Sequence, residues 1–390
     1  MSLLQQAKKI VGAVARKRAA SFDLPAARQE AILNALPEPA DDLERAYAQY
    51  CCQMALAGRG MRLLYQLAAM ALLPVYRRRF RGLSPAEKSQ PCEAIFLFEG
   101  NRGVLPDSLN SSFSQVRQIS DFQRGFLLKD GDEILLSELR RRYPRAYYFR
   151  FKCMAKLAMY RYLYEIFQPK AMIVSEEYSY TSSFLTAYCR RLGVEHIKVR
   201  HGEKLFYIRD SFFHFDRCYI WDEFYRELFI SLRAEPTQFC VELPPIMRPW
   251  DIHGVEKTVD YTYYLQAESS EELHRIAQSL HTLRARGYTV AVRPHPVYSD
   301  RAAVQQLFAE FVIEENAEVG IEISVLRTCH VISRYSTVIN QAYLNHVPFV
   351  IDDITLPQQY QKLKEMRYQM LSVPHTLLSE ELRTAPLAGA

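Results

Sequence analysis

The chain has 390 residues, 49% of them hydrophobic and 24% charged, with a formal net charge of +5. That length carries two domains of ordinary size, and the composition is globular, neither disordered nor fibrous. The charge is modest and no block of dense Lys/Arg is interleaved with stacking aromatics, which excludes a dedicated nucleic-acid binder.

In chain order, the first segment, MSLLQQAKKIVGAVARKRAA, is amphipathic and basic but lacks the apolar core and cleavage site of a secretory signal. No stretch reaches the roughly 18 apolar residues that a membrane-spanning helix needs. Residues 1–88 read as a helical N-terminal extension, because DDLERAYAQYCCQMALAG and LLYQLAAMALLPVY lack β-branched alternation. The second of these, residues 63–76, runs straight into RRRFR. Such a segment is either a core helix with a solvated basic end or a helix lying on a membrane surface. The second reading places residues 1–81 in peripheral contact with the inner face of the cytoplasmic membrane.

From the polar stretch GLSPAEKSQP onward, strand-like and helix-like runs alternate. EAIFLFEG, AMIV, HIKVRHG and RCYIWD read as strands, with KCMAKLAMYRYLYEIF and FLTAYCRRLG as helices between them; Gly193 closes the second helix. After ELPPIMRPWDIHG the pattern repeats. VDYTYYLQ, YTVAVRPHP, CHVIS and PFVID are strands, and SSEELHRIAQSLHTLRARG is an amphipathic helix capped by Ser269 or Ser270 and ended by Gly287. Such alternation predicts an α/β protein with parallel sheets covered by helices on both faces. Two Rossmann-like domains facing one another across a cleft are expected, at residues 89–250 and 251–390.

Open α/β sheets bind ligands at the carboxyl ends of their strands, so the polar residues at those ends are the candidates. In the second domain these are Gln266 with Glu268, Arg293 with His295, Ser333 to Thr337, and Asp352 with Asp353. In RPHP, Pro294 and Pro296 stiffen the backbone on either side of His295, so its side chain and that of Arg293 are aimed. SRYSTVINQA sets Tyr335, Ser336 and Thr337 at a helix start, where free N–H groups and the helix dipole favour an anion. The hydroxyls there either cap the helix or bind a phosphate. No G-x-G-x-x-G and no P-loop competes for that task, and the chain holds only 14 glycines. In the first domain the strand ends carry Glu99, Glu176, Glu177 and His201. In VRHGEK the glycine after His201 leaves the imidazole unobstructed, and its near-neutral pKa suits a general base. Glu176 and Glu177 either orient His201, act as the base themselves, or are solvated loop charges.

RPHP, VISRYSTVINQA and VRHGEK together resemble GT-B glycosyltransferases that build bacterial surface polysaccharides. The similarity is to the CDP-glycerol glycerophosphotransferase (teichoic-acid polymerase) group and to the bacterial sialyl- and polysialyltransferases. It covers roughly residues 90–355 and implies a GT-B fold with a nucleotide-sugar donor, a CMP-sugar ahead of a UDP- or GDP-sugar. Matched residue by residue, Arg293 and His295 would contact the donor phosphates, with Ser336 and Thr337 completing that site; Gln266 and Tyr335 are donor-binding candidates from their places at the strand ends. His201 would take the proton of a capsule or lipopolysaccharide glycan acceptor, unless Glu176 or Glu177 does. Arg200 stands where the polymerases usually show an aromatic residue before His-Gly. KDGDE at residues 129–133 is a loop without a clear part in the acidic-acidic-Gly motif of polysialyltransferases.

The activity that the resemblance implies is a metal-independent, inverting transfer with no cofactor beyond the co-substrate. The eight cysteines form no C-x-x-C pair and the ten histidines no H-E-x-x-H, so no metal site is expected. Scattered thiols fit a reducing, cytoplasmic compartment. A CDP-glycerol-type polyol-phosphate transferase and a non-catalytic scaffold of surface-glycan assembly are the alternatives.

Overall fold

The computed structural model describes residues 24–84, 90–120, 125–175 and 178–384. The basic segment at residues 1–20 and the candidates Glu176 and Glu177 lie outside them. The chain forms two compact units. The first takes in the described residues up to His201 and Phe206–Pro245; the second takes in Gly202–Leu205 and the described residues from Ile246 onward.

The first unit opens with three helices, α1 (Ala26–Asn34), α2 (Asp42–Ala55) and α3 (Arg59–Arg81). It continues with β1 (Ala94–Leu97), α4 (Asp107–Ser111), β2 (Val116–Gln118), α5 (Glu133–Arg142), α6 (Tyr147–Phe167) and β3 (Ala171–Val174). Next come α7 (Thr181–Arg191), β4 (Glu195–Val199), β5 (Arg217–Ile220), α8 (Glu223–Ser231) and β6 (Phe239–Val241). The strands form a parallel six-stranded sheet in the order β2-β1-β3-β4-β5-β6. β1 and β3 are buried at every position, as strands covered on both faces must be.

The N-terminal helices are part of this unit and not a separate extension. α2 packs on α7 and α3 on α6. Asp41 caps α2 by accepting from the Leu43 and Glu44 N–H groups at 3.0 and 2.9 Å. Arg45 then ties α2 to the far end of the unit through Glu235 at 2.6 Å. The core-helix reading of residues 63–76 holds for one side of α3 only. Ala69 and Phe80 are buried, whereas Leu63, Leu64, Leu67, Met70, Leu72 and Val75 are exposed. The helix is apolar around most of its circumference in this stretch, and α6 covers one side of it.

The second unit comprises β7 (Val259–Tyr264), α9 (Ser270–Ala285), β8 (Val290–Arg293), α10 (Arg301–Leu307), β9 (Val312–Ile313) and α11 (Ile321–Leu326). β10 (Thr328–Ser333), α12 (Thr337–Leu344), β11 (Phe349–Ile351), α13 (Pro357–Glu365), β12 (Thr376–Leu377) and α14 (Leu378–Thr384) follow. All strands are parallel, in the order β12-β11-β10-β7-β8-β9. Counted from β7, that is the 3-2-1-4-5-6 order of the Rossmann sheet. Both units therefore have the α/β architecture that the sequence predicts.

α9 shows how the sequence dictates these helices. Ser269 accepts from the Glu272 N–H, Glu272 reaches back to the Ser269 N–H at 2.6 Å, and Gly287 leaves the helix at a φ of +93°. Between those ends Leu273, Ile276, Leu280 and Leu283 face Tyr263, Val292, Ile332 and Val350 of the sheet. Leu280 is fully buried there. Leu280→Ala is expected to lower stability by about 2–5 kcal/mol, read from urea unfolding of the whole chain.

Candidate functional site

The chain leaves β7 toward β8 on one side and β10 toward β11 on the other. Among the described residues the two connections depart in opposite directions from the gap between the two carboxyl ends, which is the switch point at which such sheets bind ligands. A cavity of about 560 Å³ lies there, within the second unit. Gln266 from the end of β7, His295 from the end of β8, and Tyr335, Ser336 and Thr337 from the β10–α12 turn all line it. The structure thus brings five of the six sequence candidates for a phosphate site into one cavity.

Each is held by its local chemistry. Gln266 donates its side-chain N–H to the Tyr335 carbonyl, joining the two strand ends across the gap. Ser336 has extended backbone, φ −154° and ψ 149°, and its Oγ accepts from the Val338 N–H at 3.3 Å, so it is the cap of α12. Thr337, the first helical residue, is exposed to the cavity.

The His295 ring is fixed in one tautomer. Its Nδ1 accepts from the Val297 and Tyr298 N–H groups at 3.1 and 3.3 Å, so the proton resides on Nε2, which can donate. Burial pushes the imidazole below its usual value. His295 is therefore a neutral donor at pH 7. It stacks on Tyr298 with ring centroids 4.6 Å apart.

Arg293 does not line the cavity. Its guanidinium turns into the unit, 3.3 Å from the fully buried carboxylate of Glu314, and donates to the Val319 carbonyl at 2.8 Å. Glu314 is also held by Arg327 at 2.7 Å. A strand residue alternates faces, and the last position of β8 points inward to this charge cluster. The arginine at the cavity is Arg334, which the sequence reading passed over although it sits inside SRYST. Arg334 bridges Glu268 at 2.8 Å and Glu272 at 2.9 Å, with its side chain only 7% exposed. Its Nε is buried and has no hydrogen-bond partner. Burial pushes the Glu268 carboxyl above the usual carboxylate range, while Arg334 and the forked Gln266 N–H pull it back. Glu203, from VRHGEK, also reaches this cavity and accepts from Asn340 Nδ2 at 2.6 Å.

In the first unit, His201 follows β4 beside the switch point between β1 and β3. Its Nδ1 lies 2.8 Å from the Ser175 carbonyl oxygen and 2.9 Å from Ser175 Oγ. A carbonyl can only accept, so Nδ1 carries the proton and Nε2 the lone pair, the form a general base requires. The Phe98 ring stands 5.2 Å from the imidazole. Asp132 of KDGDE is buried, ion-paired with Arg161 at 2.6 Å and bonded by Tyr188 at 2.8 Å, which makes it an internal tie.

No protein-family model matches the chain, and no curated protein matches it. Among solved structures it is similar to Methanocaldococcus jannaschii UDP-GlcNAc 2-epimerase in complex with UDP-GlcNAc and UDP. The two are 12% identical over 77% of this chain and 94% of that one, with a TM-score of 0.45. A similar degree of likeness links it to a UDP co-structure of S. aureus MnaA, 12% identical over 72% of this chain and 90% of that one, TM-score 0.43. The wall teichoic acid polymerase TagF is 11% identical over 84% of this chain and 89% of that one, TM-score 0.39. Similarity of this degree does not assign a reaction.

The two buried arginines separate by substitution. Arg334→Met leaves Glu268 buried without a counter-charge and is expected to cost about 3–5 kcal/mol in urea unfolding. Arg293→Met leaves Glu314 still paired with Arg327 and is expected to cost less, about 1–3 kcal/mol.

Proposed function

We propose that the second unit binds the phosphates of a nucleotide-sugar donor in the cavity at the β7/β10 switch point. On this reading the chain is a glycosyltransferase acting on a bacterial surface glycan. The observation that carries the proposal is the convergence of the neutral donor His295 and the start of α12 on one cavity without any glycine-rich loop. His295, which carries its proton on Nε2, and Tyr335, Ser336 and Thr337 at the start of α12 all line it, beside Arg334 held by Glu268 and Glu272. Such donors are in place before charge develops, and each can contribute several kcal/mol to a departing phosphate.

In the reaction we infer, the acceptor hydroxyl oxygen attacks the anomeric carbon. The bond from that carbon to the phosphate oxygen breaks, and its electron pair stays with the nucleotide. His201 Nε2 takes the hydroxyl proton, its lone pair directed by the Nδ1–H bond to Ser175. One displacement of this kind inverts the anomeric centre. The charge on the leaving phosphate falls to His295 and the start of α12.

The test is thermal denaturation with CMP, CDP, UDP, GDP, their sugars and CDP-glycerol. A ligand at 100 times its dissociation constant stabilises the fold by about 2.7 kcal/mol. One nucleotide is expected to raise the midpoint of the wild type, and His295→Ala is expected to lose most of that shift. A wild type that responds to none of them sinks the proposal, and a response to CDP-glycerol alone makes the chain a polyol-phosphate transferase. His201→Gln is expected to keep the nucleotide shift while transfer to a glycan acceptor falls by roughly 10²–10⁴-fold. Unchanged transfer by that variant removes His201 as the base.

A further inference from the structure

The outward side of α3 is hydrophobic where a helix on a unit's surface ordinarily presents polar residues. Leu63, Leu67 and Val75 are 61%, 50% and 59% exposed, and with Ala71 they recur every four residues along one stripe. The stripe runs about 18 Å at the usual helical rise. Leu64, Met70 and Leu72 widen it. At its carboxyl end the stripe meets Arg78 and Arg79, three and four residues beyond Val75.

The charges carried by α3 itself have one sign. α3 contains six arginines and no acidic residue. Arg77 and Arg81 pair with Glu133, but Arg78 and Arg79 have no carboxylate partner among the described residues. On the adjoining flank Arg140, Arg141 and Arg150 line a concavity with Tyr147, and Arg140 and Arg141 likewise have no carboxylate partner among the described residues. Arg77, Arg140 and Arg150 also share a smaller recess with Leu73 of α3, so this basic flank adjoins the helix. A second copy of this chain is a poor occupant, because symmetric pairing across the stripe would bring these unneutralised cations together. An anionic bilayer surface neutralises the arginines and takes up the apolar side chains at the boundary between headgroups and acyl chains. No helix among the described residues is long and apolar enough to cross a membrane, so the contact is with the surface.

We propose that the stripe from Leu63 to Val75, with Arg78, Arg79, Arg140 and Arg141, docks the protein on an anionic lipid bilayer, with α3 lying in the plane of the interface. The proposal stands apart from the reaction inferred above, since none of these residues belongs to the donor cavity or to the surroundings of His201.

The experiment is flotation of the full chain with vesicles of phosphatidylcholine alone and of phosphatidylcholine mixed equally with phosphatidylglycerol. The wild type is expected to float with the mixed vesicles, to bind the neutral ones more weakly, and to be released by added salt. Arg78→Glu/Arg79→Glu is expected to weaken binding to the mixed vesicles by roughly tenfold or more. Leu67→Glu/Val75→Glu is expected to abolish flotation with its thermal midpoint preserved, because both side chains are already in solvent. A wild type that stays unbound overturns the proposal, as does flotation unchanged in Leu67→Glu/Val75→Glu. Sedimentation velocity supplies the other arm. A wild-type dimer that Leu67→Glu/Val75→Glu converts to a monomer, with lipid binding unaltered, assigns the stripe to a second copy and also overturns it.

Discussion

The parallel register of β10 against β7 is the constraint on which the rest of the second unit depends. Ile332 pairs with Tyr263 and Val331 with Thr262 at the centre of the sheet, where these residues are buried. A slip of one residue would exchange the two faces of a strand that is covered on both. Because the register is held, the ends of both strands stop at the same level. Gln266 and Tyr335, 69 positions apart in sequence, then meet through a hydrogen bond. Ser333 Oγ adds a second tie at that level by donating to the Tyr264 carbonyl at 3.0 Å. The cavity is what remains when connections depart from such a pair of strands in opposite directions.

Two buried charge clusters divide the labour at that end of the sheet. Glu314 collects Arg293 and Arg327 on the inner side, and Arg334 collects Glu268 and Glu272 beside the cavity. Glu272 has two duties, since one of its oxygens completes the capping box of α9 and the other holds Arg334. The start of α9 and the cavity wall are therefore mechanically one piece. Buried ion pairs of this sort contribute little net stability relative to an apolar replacement, but removing one partner is costly. Their evident effect here is on position: they decide which arginine faces the cavity and which faces the core.

The long central strands and the helices between them were legible in the sequence because continuous apolar runs and capping residues mark them. AMIV is buried throughout and CHVIS over its last three residues, and Ser269 and Gly287 bound α9 as read. The strands that the sequence did not reveal are β2, β6, β9 and β12, and all four are sheet edges. They are two or three residues long and half exposed, so no apolar run distinguishes them from loop. At the cavity, Gln266, His295 and the SRYST turn were legible from their places after strands. The choice between Arg293 and Arg334 was not, because it depends on where the buried carboxylates of Glu314 and Glu268 lie in space. On α3, composition gave the apolar and basic content, but which side remained uncovered depends on the packing of α6. Glu176 and Glu177 lie outside the described residues, so the base candidates compare only through His201.

The two backbone N–H groups that hold His295 Nδ1 have a consequence for proton accounting. They occupy the nitrogen that an incoming anion would otherwise induce to protonate, so a phosphate accepting from Nε2–H can bind without drawing a proton from solvent. Heat measured on mixing near neutral pH would then contain no contribution from the buffer's own ionisation at this residue. The imidazole in that arrangement is a fixed donor, and burial holds its pKa below the usual histidine value.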